Sequence, residues 1–292
     1  MTSIKKTGKV YNFDKNGYLI CEQNKSQIQE KWLKPLGYLI NEYDKNFCEE
    51  IYSIYLRGSV AGGEAFDNVS DIDLIILVED ERKIKTLEKF NSFLNKEFKK
   101  KYNFVQKLDI VVRELHSNYI KNLNLYTING RLVDKEIYER SIKELKFQIK
   151  HKSVCLYGED FKDNLSRFKK MDIPRENVVS FKKEISLVEE NINDLFRSNL
   201  KNKAIELSSS YVSWISKRII RFGFYLIYDK VNVWTTDLYQ CYLLFISKFP
   251  YKKNSMLLAL KIAIFPNENF NENNVMETLD FGKWLIKEYK NK

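Results

Sequence analysis

Apolar residues recur along this chain in two rhythms, and the change from one to the other divides it. In the first part short, nearly unbroken apolar runs predominate: IYSIYLR at 51–57, IDLIILV at 72–78 and KLDIVVRE at 107–114. Runs of this length, rich in Ile, Val and Tyr and bounded by Gly, Asn and charged residues, predict strands. Over 26–47 the apolar positions Ile28, Trp32, Leu33, Leu36, Leu39, Ile40 and Tyr43 instead fall at helical spacing, a stripe that core packing explains, and 81–100 reads as a charged amphipathic helix. Asn16-Gly17 stands between two strand-like pieces in KVYNFDKNGYLI, residues 9–20, and predicts a hairpin. Further helical segments are expected near 117–126 and 141–152, with a short strand in VCLYGED.

Around MDIPREN, residues 171–177, the rhythm becomes helical throughout. Segments at 175–199, 202–228, 235–249, 253–264 and 272–290 are separated by turn signals such as Phe249-Pro250 and Phe265-Pro266-Asn267. The pattern predicts an α+β protein in two domains. A small mixed β-sheet with flanking helices would occupy 1–172, including the N-terminal hairpin and helix, and an α-helical bundle would occupy 173–292. A chain of 292 residues is long enough to give each a core of its own.

Composition agrees and removes several classes. Hydrophobic residues at 44% and aromatics at 14%, with only 10 Gly and 4 Pro, suit a compact helix-rich globule and exclude a disordered or fibrous chain. The longest apolar stretches, such as LIILV at 74–78, are too short to cross a bilayer, and MTSIKKTGKV lacks the apolar core of a signal peptide, so a soluble cytoplasmic protein with no membrane partner is expected. Cys21, Cys48, Cys155 and Cys241 are scattered, with only His116 and His151 to assist, which argues against zinc and for buried free thiols in a reducing compartment. The net charge of +10 invites a nucleic-acid partner. An AT-rich genome, however, yields the same abundance of Lys, Asn, Ile, Tyr and Phe without selection for a ligand, and the lysines are spread along the chain.

One apolar run carries a contradiction. Asp71 and Asp73 open the strand SDIDLIILV, and alternate residues of a strand share a face, so two carboxylates stand side by side while Ile72 turns into the core. Such a pair repels unless a cation sits between its members, and a divalent metal is the usual candidate. Upstream, a strand ends at Arg57 and is followed by Gly58-Ser59 and eleven further residues before Asp71. Gly58 lets the backbone approach a phosphate, and the Ser59 hydroxyl and following amides can donate hydrogen bonds to its oxygens. Asp109 sits within KLDIVV at the same kind of place. It would bind a second metal or accept a proton from an attacking hydroxyl.

The pattern RGSVAGGEAFDNVSDIDLIILVED, together with Asp109, resembles the signature of the nucleotidyltransferase superfamily with the DNA polymerase beta-like fold. Within it, GSVAGG and SDIDLIILV are most similar to the streptomycin and spectinomycin adenylyltransferases, which join such a domain to a C-terminal helical one. The specific likeness covers 55–113. It implies an enzyme that transfers AMP from ATP to a hydroxyl of a small molecule such as an aminoglycoside, with two Mg²⁺ ions held by Asp71, Asp73 and Asp109 and the β/γ phosphates gripped by Gly58 and Ser59. It further implies that Lys217 and Arg221, on one face of the helix YVSWISKRIIRFGFYLI with Ser213, reach the triphosphate, and that the acceptor lies between the domains. A solvated basic face explains the same stripe, while Trp214, Ile215, Ile219 and Phe222 are assigned to the bundle core. Two alternatives stay open: a toxin-like enzyme acting on tRNA or protein, and a non-catalytic nucleotide- or RNA-binding relative.

Overall fold

The computed structural model of the protein describes residues 8–21, 23–114, 119–120, 125–128, 131–175, 177–197 and 201–291. They form two compact units, one of Gly17–Pro174 and one joining Met1–Asn16 to Arg175–Lys292. In chain order the first elements are β1 (Tyr11–Asn12), α1 (Glu30–Phe47), β2 (Ile51–Arg57), α2 (Gly58–Gly62), β3 (Ile72–Val78), α3 (Ile84–Lys101) and β4 (Leu108–Glu114). Then come β5 (Tyr119–Ile120), β6 (Leu125–Ile128), β7 (Arg131–Val133), α4 (Lys135–Lys152) and β8 (Ser153–Gly158). The helical region contains α5 (Val178–Arg197), α6 (Lys201–Ile227), β9 (Val233–Trp234), α7 (Leu238–Ile246), α8 (Lys253–Ile264), α9 (Pro266–Asn269) and α10 (Glu272–Lys290).

The main sheet of the 17–174 unit has the order β4-β3-β2-β8, with β3 and β4 parallel and β2 antiparallel to both its neighbours. The helix α3 makes the crossover that a parallel pair requires. One face of the sheet carries the larger core: Ile54, Leu56, Leu74 and Ile76 pack with Trp32, Leu36 and Leu39 of α1 and Leu87, Leu94 and Phe98 of α3. The opposite face is covered more thinly, with Tyr55, Ile75 and Leu77 against Ile149 of α4, Cys155 and Phe161. Because β3 is buried on both faces, its sequence is an unbroken apolar run rather than an alternation. Asp73 has the parity of Ile75 and Leu77 and therefore opens onto the thin face.

Several expectations are corrected here. The run 9–20 does not close into a hairpin: Tyr11 and Asn12 pair with Trp234 and Val233, whereas Tyr18 bridges Lys169 and the Leu19 N–H donates to Phe168 O at 2.9 Å. Asn16-Gly17 is a turn between two strands that each found a distant partner. Where a helix was expected near 117–126, the described residues are strands, β5, β6 and β7 forming an antiparallel sheet. His116 lies outside the described residues. His151 is buried, its Nδ1 3.0 Å from Cys21 O and its Nε2 accepting the Phe168 N–H at 3.3 Å, so backbone groups supply the partners that no side-chain motif announced. Of the four thiols, Cys21, Cys155 and Cys241 are buried but Cys48 is exposed.

In the other unit α6 packs against α5, α7, α8 and α10. Phe181 of α5 stacks on Phe222 of α6 with ring centroids 4.3 Å apart, and a Cβ on Gly282 would stand 2.6 Å from Ile185 Cδ1, which is why α10 can approach α5 so closely. Ile215, Ile219 and Phe222 are buried as expected, but Trp214 is 42% exposed and lies beneath the Arg218 guanidinium. Among the described residues no helix is long and apolar enough to cross a membrane.

Burial of β3 on two sides makes it the most sensitive strand. Replacing Ile76, which is fully buried, by Ala should cost about 3 kcal/mol. This would be read as a lower urea midpoint with an unchanged slope for the unit that contains it.

Candidate active site

The register of the sheet assembles the site. Arg57 lies opposite Asp73 across the antiparallel β2/β3 pair, and Asp73 lies opposite Asp109 across the parallel β3/β4 pair. Directly opposed residues share a face, so a cation and two acids form one row over three strands. Asp71, two residues before Asp73, stands on the same face one step along. The approach to Asp71 is tied down by backbone: Asn68 N–H donates to Phe104 O at 2.6 Å, Gln106 N–H to Ser70 O at 3.1 Å and Ile72 N–H to Lys107 O at 3.0 Å. The Ser70 hydroxyl accepts the Phe66 N–H at 2.9 Å.

Gly58 and Ser59 open the single-turn helix α2 directly after β2, with Val60 and Ala61 buried in the larger core. Gly58 has φ +76°, a left-handed conformation that costs a side chain energy, and an added Cβ would stand 2.3 Å from Asp73 Oδ2. The residue must be glycine for both reasons. Its backbone is exposed, and Ser59 beside it is half-buried.

Two cations absent from the expected site face the acids. Arg57 Nη2 lies 3.7 Å from Asp73 Oδ1 and 3.9 Å from Asp109 Oδ2, and Lys107 Nζ lies 3.7 Å from Asp71 Oδ2. Register places Lys107 beside Asp71, since Ile72 pairs with Leu108 and Asp73 with Asp109 across the parallel β3/β4 pair. Arg57 Nη1 also donates to Gln148 Oε1 of α4 at 3.4 Å. On the same face of β4, the burial of Arg113 lowers its affinity for a proton, and Glu144 opposes that effect.

Burial raises Asp73 from its usual carboxylate value to about 6. Arg57 opposes this shift, Asp109 and Asp71 add to it, and Lys107 opposes it. The two cations thus do not fully offset the cost of packing three acids on a partly dry surface. Asp109 is the most open of the row, at 43% exposure against 22% for Asp73.

Among the described residues no three His, Cys, Asp or Glu side chains stand as a finished metal cage. Magnesium does not require one, since it is commonly held by one or two carboxylates and completed by substrate phosphates and water. The donor set fits such an ion: hard oxygen ligands on one face of the sheet, among them a carboxyl driven up by burial and neighbouring acids.

Residues 40–129 match the family described as nucleotidyltransferase domain. The chain carries a nucleotidyltransferase domain. The match begins within α1 and takes in Gly58, Ser59, Asp71, Asp73 and Asp109, and it supports an enzyme of the nucleotidyltransferase class. The spectinomycin adenyltransferase AAD(9) from Enterococcus faecialis, solved with ATP and spectinomycin, is similar over 88% of this chain and 98% of its own, at 14% identity and a TM-score of 0.46. At that distance the likeness assigns no substrate to this chain. No curated protein matches it.

The nucleotidyltransferase domain gathers five of the residues expected from sequence. The other two, Lys217 and Arg221, lie on α6 in the helical unit, half-buried rather than on a solvated face. Arg221 Nε donates to Thr236 O at 3.4 Å, and Ser213 of the same stripe is buried and donates to Ala263 O at 2.9 Å. Ser213 and Arg221 of the stripe are thus bonded within the helical unit.

Two outcomes follow. Gly58→Ala should cost about 1–3 kcal/mol, from the left-handed backbone and the collision with Asp73, measured by chemical denaturation. For Asp73, the folded-state pKa near 6 lies above the unfolded value, so the native state binds more protons between pH ~4 and ~6 and stability falls as pH rises through that window. In EDTA, Asp73→Asn should therefore melt above the wild type at pH 7.5, and the gain should shrink toward pH 4.5.

Proposed function

We propose that this nucleotidyltransferase transfers AMP from ATP to a hydroxyl group of an acceptor, with pyrophosphate as the leaving group and magnesium as the required ion. The acceptor oxygen would form a bond to the α-phosphorus while the bond from that phosphorus to the bridging α,β oxygen breaks. The single observation that carries the reading is the register that sets Asp73 beside Asp109 with Gly58 folded against Asp73.

Asp71 and Asp73 would hold the ion, and Asp109 would either complete its shell or accept the proton that leaves the acceptor hydroxyl. Magnesium bound there would neutralise charge on the phosphates and on the departing pyrophosphate. The exposed backbone at Gly58 and the Ser59 hydroxyl would donate hydrogen bonds to the β/γ phosphates, orienting the chain of phosphates along the row. Little covalent work falls to the protein in such a transfer, so alignment and fixed charge account for its contribution.

For the acceptor, the likeness of GSVAGG and SDIDLIILV to the streptomycin and spectinomycin adenylyltransferases supports an aminoglycoside or related aminocyclitol. Such polycations need local acidity, which the net charge of +10 does not advertise. The net charge of +10 favours a second reading, an acceptor on tRNA or protein.

Labelled ATP incubated with a panel of aminoglycosides, and separately with total tRNA and cell lysate, separates these readings. Label should move to a small molecule in the first arm, and Asp73→Asn should lower kcat/KM by about 10³-fold with the nucleotide still bound. Label appearing only on RNA or protein would transfer the assignment to the second reading. Nucleotide binding with no pyrophosphate from any acceptor would leave a non-catalytic relative.

A further inference from the structure

Arg57 neutralises acids that the proposed reaction needs for a metal ion, and the way it does so is loose. Its Nη2 sits 3.7 and 3.9 Å from Asp73 and Asp109, well beyond the ~2.7–2.9 Å of a charge-assisted hydrogen bond. Its Nη1 reaches only Gln148, at 3.4 Å, and its buried Nε meets no acceptor among the described residues. A guanidinium has five N–H donors in a rigid fork. Here the fork matches neither carboxylate; proximity of charge holds it, not shape.

A divalent ion binds carboxylate oxygens at about 2.0–2.1 Å and carries its own water. It and the guanidinium cannot both stand between Asp73 and Asp109. We propose, resting on the metal reading above, that Arg57 is the resting counter-ion of this row and competes with the divalent cation. Ion entry displaces the guanidinium from Asp73 and Asp109, and the empty site holds little ion until that exchange occurs. The device keeps Asp73 and Asp109 tolerable when no ion is bound. It also follows from sequence position, because the last residue of β2 is held opposite Asp73 by register and the Gly58 turn begins immediately after it.

The test is Mn²⁺ binding to the full chain without nucleotide, followed by the loss of the free-ion EPR signal. Arg57→Gln should bind Mn²⁺ about tenfold more tightly than the wild type, as expected if the blocked arrangement is populated roughly nine parts in ten. Added Mn²⁺ should also raise its melting temperature more than that of the wild type. Asp73→Asn in the Arg57→Gln background should abolish the gain. Should Arg57→Gln fail to fold in EDTA, Arg57→Lys, which keeps a charge but not the fork, should still bind Mn²⁺ about threefold more tightly. Equal or weaker binding by the folded variant, with Asp73→Asn still abolishing uptake, would overturn the role of Arg57 and leave the metal reading in place. No Mn²⁺ uptake by any form, with or without a non-hydrolysable nucleotide, would overturn both.

Discussion

The structure of the Gly17–Pro174 unit turns on a row of charge laid across three strands. Arg57, Asp73 and Asp109 occupy opposed positions of β2, β3 and β4, and none can move to the other face without shifting a strand by one residue. Such a slip is blocked by the core. Ile54, Leu56, Leu74 and Ile76 on one face and Tyr55, Ile75 and Leu77 on the other are all buried, so a slip would exchange two filled faces at once. Hydrophobic packing, which has no interest in the acids, is therefore what fixes their alignment.

The parts of this arrangement that depend on burial were legible in the sequence. Strands β2 and β3 were read almost to the residue because strands buried on both faces leave long apolar runs, β4 was read from the apolar run of KLDIVVRE, and the acids stood out because they interrupt such runs. Asp109 was found by the same signal. What the sequence did not disclose were pairings decided at a distance. Asn16-Gly17 is a strong local turn signal, yet Tyr11 and Tyr18 pair with Trp234 and Lys169, more than a hundred residues away. His151 was left without a partner because backbone atoms have no sequence signature. Trp214 was given to the bundle on hydrophobicity, but the helix turns it outward and Ser213 inward, where its hydroxyl is satisfied by a carbonyl.

Arg57 and Lys107 show a subtler failure. Each stands beside a residue that attracted notice, Gly58 in one case and Asp109 in the other, and each reads as an ordinary surface cation at a strand end. Their role appears only once the register is known, because a counter-charge is defined by what lies opposite it on the next strand. The expected cation was a metal between Asp71 and Asp73; the side chains that face these acids are Lys107 on Asp71 and Arg57 on Asp73.

Burial, and not mutual repulsion, is the leading reason Asp73 is hard to ionise. The distinction has a consequence for function. Repulsion between acids can be relieved by spreading them apart, but the burial of Asp73 on a face of the sheet cannot. In a medium of lower effective dielectric the attraction between a carboxylate and a doubly charged ion grows, and so does the penalty for leaving the carboxylate bare. The burial that makes these acids costly to leave bare also strengthens their attraction for a cation, and on the thinly covered face of the sheet both effects act on groups that solvent can still reach.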